Sequence, residues 1–241
     1  MRLFLILFIV ISTSYAYADS VLPELKIKKI NDNVYIHKSF HKTESFGVVS
    51  SNGLIVIEEG KAFIVDTPWS IEDTEKLIHW IKQSGYEPIG SISTHSHDDR
   101  TTGIEWLNNH SVPTYASVLT NKILANKGKA LAKNTFTQSE FQIESGLIEA
   151  FYPGAGHTID NIVIWLPKSK LLFGGCFVKS LHSKNLGYTG EASIEQWPAS
   201  IDKVLLKYPQ AETIIPGHGK SGDIHLLTHT KNLAQSAIEK L

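Results

Sequence analysis

"IGSISTHSHDDRTTGIEWLNNH", residues 89 to 110, passes from an apolar strand through a polar knot into a short helical segment. Strand, functional-looking loop and helix in immediate succession are the building unit of a layered α/β domain. The knot sets His95 and His97 two positions apart, and Asp99 continues the step. On an extended segment that period points all three side chains to one side. Imidazole nitrogen suits zinc, and a nearby carboxylate can serve a second ion or orient a ligand. Taken alone, the same pattern also fits a polar loop carrying surface histidines.

Outward from the knot the chain keeps the same style. Upstream lie "NVYIHKSF" (33–40) and "FGVVSSNGLIVIEEGKAFIVDTP" (46–68), where Asn52-Gly53 and Glu59-Gly60 give turn signals between β-branched runs. Ser70, followed three residues on by Asp73, predicts a capped helix start, with Leu77, Ile78 and Ile81 on its apolar side. Downstream, strands are expected in "VPTYAS", "LIEAFYP", "NIVIWLP", "KLLFGG" and "ETIIPG". Helices are expected in "VLTNKILANKG", around Ile194 to Tyr208, and from about Ile224. Sheets covered by helices follow from this alternation, an α/β fold whose topology the pattern alone leaves open.

The chain has 241 residues, 42% hydrophobic and 20% charged, with a formal net charge of −1. That is ordinary for a globular protein and gives no electrostatic footprint for nucleic acid. Arg2, the apolar run Leu3 to Ile11 and Ala16-Tyr17-Ala18 read as a cleavable signal peptide over 1–18, cut between Ala18 and Asp19. The run is about half the roughly 20 residues of a spanning helix, so no membrane anchor is expected. No cysteine lies near the cut to carry a lipid. Residues 19–241 then form a single exported domain without internal linker, which in a bacterium means the periplasm. Cys176 is the only cysteine, so no intramolecular disulfide forms. In an oxidising compartment a lone thiol is either a small buried core residue or a metal-bound thiolate.

Three later stretches supply partners for the knot. "PGAGHTIDN" presents His157, "LLFGGC" presents Cys176, and "TIIPGHGKSG" presents His218, each beside a strand and small residues. His95, His97 and His157 make a three-imidazole set with a fourth position open for water. Asp99, Cys176 and His218 make a second set, which accounts for the lone cysteine. Zinc lowers the pKa of a bound water to about 7, so hydroxide is available at neutral pH. The residues alone therefore point to a two-zinc hydrolase. Of the remaining histidines, His225 and His229 form an i, i+4 pair on the last helix and are assigned to a solvated face.

"THSHDDR", "GHTIDN", "GGCFVK" and "PGHG", in this order and with these flanks, resemble a class B metallo-β-lactamase of the subclass containing the IMP and VIM enzymes. The resemblance spans essentially the whole mature chain. It implies an αβ/βα four-layer sandwich with zinc at one edge of the sheets. It also implies hydrolysis of the β-lactam amide of penicillins, cephalosporins and carbapenems, hence antibiotic resistance, by a monomer holding two zinc ions and forming no covalent acyl-enzyme.

The resemblance further assigns roles to single residues. Lys179 matches the lysine that anchors the substrate carboxylate, and Asn185 an asparagine assisting at the lactam carbonyl. Residues 40 to 49 match the flap, with Phe46 at its tip. Asp66 and Arg100 are expected to support the ligands without touching metal, and a proton to arrive by water or through Asp99. Trp69 walls the cleft or is a core residue. Two positions depart from the family pattern. Ser96 stands where those relatives have Phe, and Thr102 replaces a glycine, a costly change if φ is positive there. Within the same superfamily, thioesterases or lactonases usually carry a further histidine where this chain has Arg100. A non-catalytic periplasmic zinc-binding protein would need neither an open coordination position nor a flap.

Overall fold

The computed structural model describes residues 21–143 and 146–240, so the signal-peptide reading of 1–18 lies outside the described residues. The first sheet runs in chain order through β1 (Lys26–Lys29), β2 (Val34–Thr43), β3 (Gly47–Glu58), β4 (Lys61–Val65), β5 (Glu87–Ile92), β6 (Thr114–Ser117) and β7 (Asn134–Phe136). Its first four strands pair antiparallel, and from β4 onward the pairs are parallel. The second sheet has the order β12 (Thr213–Pro216), β11 (Leu171–Gly175), β10 (Val163–Leu166), β9 (Ile148–Phe151), β8 (Glu140–Ile143).

Neighbouring strand residues feed different cores, and this makes the layers. Leu54, Val56, Phe63 and Val65 of the first sheet meet Ile148, Ile164, Leu171 and Phe173 of the second in one inner core. The intervening residues Ile55, Ile57, Ala62 and Ile64 face outward, onto α1 (Ile71–Gln83) and α3 (Ile104–Asn109). On the opposite side Val163, Trp165, Leu172 and Ile214 cover α5 (Trp197–Lys207) and α6 (His225–Ile238). Each such side chain, once fully buried, contributes about 1.5–3 kcal/mol. Helix, sheet, sheet, helix is the expected four-layer sandwich. Helix α1 starts as its sequence predicts: the Ser70 side chain accepts from Asp73 N, and Leu77, Ile78 and Ile81 are buried. Among the described residues the remaining α-helices are α2 (Asp98–Thr101) and α4 (Val118–Asn126).

Two local expectations fail. Glu59-Gly60 is the hairpin turn, with both φ values positive, but Asn52-Gly53 lies inside the continuous strand β3. Gly53 is there for close approach: a Cβ would stand 2.2 Å from His37 Nε2 and 2.7 Å from Val65 O. The Asn52 side chain meanwhile donates to Pro216 O (2.9 Å) and Gly219 O (3.0 Å), tying the two sheets together. Secondly, Thr102 has φ −54°, an ordinary helical value, so threonine is unstrained, and its hydroxyl donates to Asp98 O. The feared cost at that position does not arise.

Candidate metal centre

All the ligand candidates stand where β5, β9, β11 and β12 hand over to loops at one edge of the sandwich. Past Ile92 the segment of His95 is bent rather than extended, and Asp99 sits in the first turn of α2, with His97 as N-cap. The alternation first invoked for the H-x-H-x-D pattern is therefore not what gathers these side chains. Asp66 does much of that work. Its carboxylate accepts from Thr94 N (2.7 Å) and Thr94 Oγ1 (2.9 Å), which pins the residue before His95. Asp66 itself holds φ at 61°, a left-handed conformation costing on the order of 1–3 kcal/mol. The bonds to Thr94 and Arg100 hold it there.

His95, His97 and His157 form the first set. Their ring centroids are 4.7, 5.0 and 5.0 Å apart and their planes nearly perpendicular, so three edges face one point. His95 Nε2 is buried without a partner, and His157 Nε2 lies 3.2 Å from His97 Nδ1. Two imidazole nitrogens that close, beside an orphaned third one, fit a bound cation. Burial, aided by the neighbouring His97 charge, holds His95 well below its ordinary pKa. Burial and Lys179 do the same for His157.

The second set is charged. Cys176 Sγ is 3.2 Å from His218 Nε2, His218 Nε2 is 3.3 Å from Asp99 Oδ2, and Cys176 Sγ is 3.5 Å from Asp99 Oδ2. The other His218 nitrogen, Nδ1, donates to Ser50 O at 2.8 Å and so turns Nε2 inward. Burial lowers the His218 pKa, but Cys176 and Asp99 overrule it and raise it to about 10. Burial likewise pushes Asp99 up, yet Arg100 and His218 hold it well below the usual carboxylate range. Potential donor atoms of His95, His97 and His157 lie within 4.8 Å of one another, and so do those of His95, Asp99 and Cys176. The two sets thus abut at His95, and the donors present fit two metal ions.

Arg100, fully buried, is the hub behind the second set. Nη2 donates to Asp99 Oδ2 (2.7 Å), Cys176 Sγ (3.0 Å) and Gly217 O (3.2 Å). Nη1 donates to Asn52 O (2.6 Å) and Asp66 Oδ2 (3.1 Å). At Gly217 a Cβ would stand 2.6 Å from Cys176 N and 2.7 Å from Arg100 Nη2, so only glycine fits. Burial raises the Asp66 pKa to about 6 against the pull of Arg100 and Thr94.

A cavity of about 870 Å³ opens above both sets. Phe46, Trp69, Lys179 and Asn185 all line it. Phe46 is exposed at the tip of the β2–β3 hairpin. Trp69 is half-buried and stacks on His41 with centroids 5.0 Å apart, so it walls the cleft and is no core residue. Lys179 is half-buried with Nζ 5.3 Å from the Trp197 ring, and burial lowers its pKa against Cys176 and Asp99. Asn185 Oδ1 is occupied by Gly187 N at 3.0 Å, leaving its amide nitrogen for other partners. His225 is exposed and bonded to Asp223, while His229 Nε2 bonds Ser183 O, so the two rings serve separate partners.

The sequence reading missed Glu191, Tyr188 and Asn52. His97 Nε2 donates to Glu191 Oε2 at 2.7 Å, and the Tyr188 ring stands edge-on to His97 at 5.8 Å. Glu191 lies 94 residues from His97 in a turn without periodicity, so no local signal marks it.

Comparison with known proteins agrees with this geometry. The family model described as the metallo-beta-lactamase superfamily matches residues 46–218. The chain is 44% identical over 227 residues to a metallo-beta-lactamase type 2 of Pseudomonas aeruginosa, covering 94% of this chain and 91% of that protein. It is 35% identical over 218 residues to one of Bacteroides fragilis, covering 90% and 88%. The crystal structure of DIM-1 metallo-beta-lactamase exposed to ceftazidime superposes with a TM-score of 0.89 at 58% identity, covering 90% of this chain and 99% of that one. TMB-1 gives a TM-score of 0.89 at 56% identity, covering 90% and 100%.

Proposed function

This chain belongs to the metallo-β-lactamase superfamily, and from that premise we propose that it hydrolyses the amide bond of β-lactam antibiotics with two zinc ions. The observation that carries the reading is the three-histidine set abutting the charged Asp-Cys-His set beneath one large cavity, with a lysine on its wall. His95, His97 and His157 would hold one ion, and Asp99, Cys176 and His218 the other. Bound zinc supplies hydroxide at neutral pH and stabilises negative charge as it develops.

The chain's own residues do the rest. Lys179 offers a point-charge anchor for the carboxylate common to penicillins, cephalosporins and carbapenems. Phe46 and Trp69 cover the apolar part of the substrate and exclude water, and the Asn185 amide steadies the lactam carbonyl. Arg100 keeps Asp99 ionised through Oδ2, so Asp99 Oδ1 can take a proton from the attacking water and hand it to the departing nitrogen. The water's hydroxyl ends on the carbonyl carbon and its other proton on the nitrogen as the C–N bond breaks. No side chain is acylated, so serine-directed inhibitors leave the enzyme active. The setting we propose is the periplasm, after removal of residues 1–18, where a monomer would confer resistance.

Purified protein assayed on a chromogenic cephalosporin tests this directly. Turnover is expected, with loss in EDTA and recovery on adding zinc. Cys176→Ser is expected to lower zinc affinity by more than the roughly 10- to 100-fold typical of an outer partner, and activity with it. Thioester turnover without lactam turnover would instead mark a thioesterase. No turnover in the zinc-loaded form would mark a storage protein. Full activity of Cys176→Ser at matched zinc occupancy would remove cysteine from the ligand set.

A further inference from the structure

The outer nitrogens of the candidate ligands are not held alike. His218 Nδ1 donates to a main-chain carbonyl, which stays in place by itself. His97 Nε2 depends on a glutamate side chain in a turn, and such a side chain has many rotamers to lose. Glu191 divides its two oxygens: Oε2 accepts from His97, and Oε1 accepts from Lys127 Nζ at 2.7 Å. Lys127 is the C-cap of α4, its own main-chain N–H bonded to Ile123 O and Leu124 O. Its ammonium thus starts from a fixed point at a helix end that favours positive charge.

We propose that Lys127, Glu191 and His97 form a positioning relay: the lysine fixes the carboxylate, and the carboxylate fixes which nitrogen His97 offers to a metal. An ionised carboxylate only accepts hydrogen bonds, so His97 must carry its proton on Nε2 and present the Nδ1 lone pair. Nδ1 is the nitrogen that faces His157 Nε2. Lys129 provides an internal control. It follows the same turn, pairs with Asp98, and is 35% exposed against 31% for Lys127, but the carboxylate hydrogen-bonded to His97 is Glu191, the partner of Lys127.

The relay rests on His97 being a metal ligand, and the experiment separates the two claims. Zinc affinity is measured by chelator competition in the full-length mature protein. Glu191→Ala is expected to weaken binding about 10- to 100-fold, with Glu191→Gln in between because its amide oxygen still accepts. Lys127→Met is expected to weaken it about 2- to 5-fold, while Lys129→Met does not weaken it. The sign is decisive, because removing a positive charge near a cation site by Coulomb's law alone tightens binding. Unchanged or tighter binding in Lys127→Met overturns the relay, as does equal weakening by both lysine variants. Ring ¹⁵N spectra of the metal-free protein give a second readout: a single Nε2–H tautomer of His97 in the parent, and a mixture in Glu191→Ala. A single unchanged tautomer there also overturns it. If His97→Ala retains the parent zinc stoichiometry, His97 is no ligand and the premise itself fails.

Discussion

The two donor sets meet at His95 yet are built on opposite electrostatic plans. Burial favours neutral rings at His95 and His157, and the three-histidine cluster is arranged by ring packing and by Glu191 on its outer side. Around Asp99, Cys176 and His218, charge is kept under the surface, and Arg100 makes that tolerable by bonding Asp99, Cys176 and Asp66 together. A neutral cluster needs shape, and a charged one needs a counter-charge. The same edge of the sandwich thus offers two sites that should respond differently when the support behind each is removed.

The strongest way to break this contrast is to remove the counter-charge. Arg100→Met leaves Asp99 and Asp66 buried without their cation, which costs about 3–5 kcal/mol. His157→Gln, in the neutral cluster, should cost only about 1–3 kcal/mol, because no buried charge is stranded. Denaturant midpoints of the metal-free proteins decide the matter. If His157→Gln loses as much as Arg100→Met, the two sets are not differently supported.

This contrast was only partly legible in the sequence. His95, His97, Asp99, His157, Cys176 and His218 each stand beside a strand end, and local composition exposes such residues readily. The four layers, too, follow from the alternation Leu54, Ile55, Val56, Ile57, whose two faces feed different cores. What the sequence could not display was coupling across long separations. Asn52-Gly53 looked like a turn because its dipeptide is a strong hairpin signal. The structure uses its glycine for contact with His37 and its asparagine for bonds more than 160 residues away. Arg100 was expected to be a supporting residue. That it sits fully buried at the centre of five hydrogen bonds depends on where β3, β11 and β12 converge.

His37 sharpens the comparison on the charged side. It is 1% exposed, its Nε2 lies 2.9 Å from Asp66 O, and its Nδ1 has no partner. Burial depresses its pKa to about 4, and the nearby Arg100 charge acts the same way. Above the ordinary histidine value near 6.5 the ring is neutral in both folded and unfolded chains, so it adds no pH dependence. Below that value the unfolded chain takes up a proton that the folded one refuses until about pH 4. Stability therefore falls with pH across that window, by about 3 kcal/mol in full. Replacing His37 by Gln, which can still donate to Asp66 O, should flatten the fall. Urea unfolding of the metal-free proteins at pH 7.5 and pH 4.5 measures it. Equal pH slopes for parent and variant would show that this ring does not resist protonation.

The smallest effect is expected at Thr102, one turn beyond Asp99, where the family pattern has glycine. Its helical φ of −54° and its bond to Asp98 O make threonine the better residue for this turn. Thr102→Gly frees the backbone of the unfolded chain and should cost no more than about 1 kcal/mol. Since Asp99 is held by Arg100 rather than by the turn's last residue, zinc affinity of the Asp-Cys-His set should not change. The measurement is thermal midpoint and chelator competition on the same preparation. A zinc loss without a matching loss of stability would mean that α2, not the buried guanidinium, sets the position of Asp99. The charged cluster would then be governed by backbone geometry, as the neutral one is by ring packing, and the difference between the two would rest on less than its electrostatics suggest.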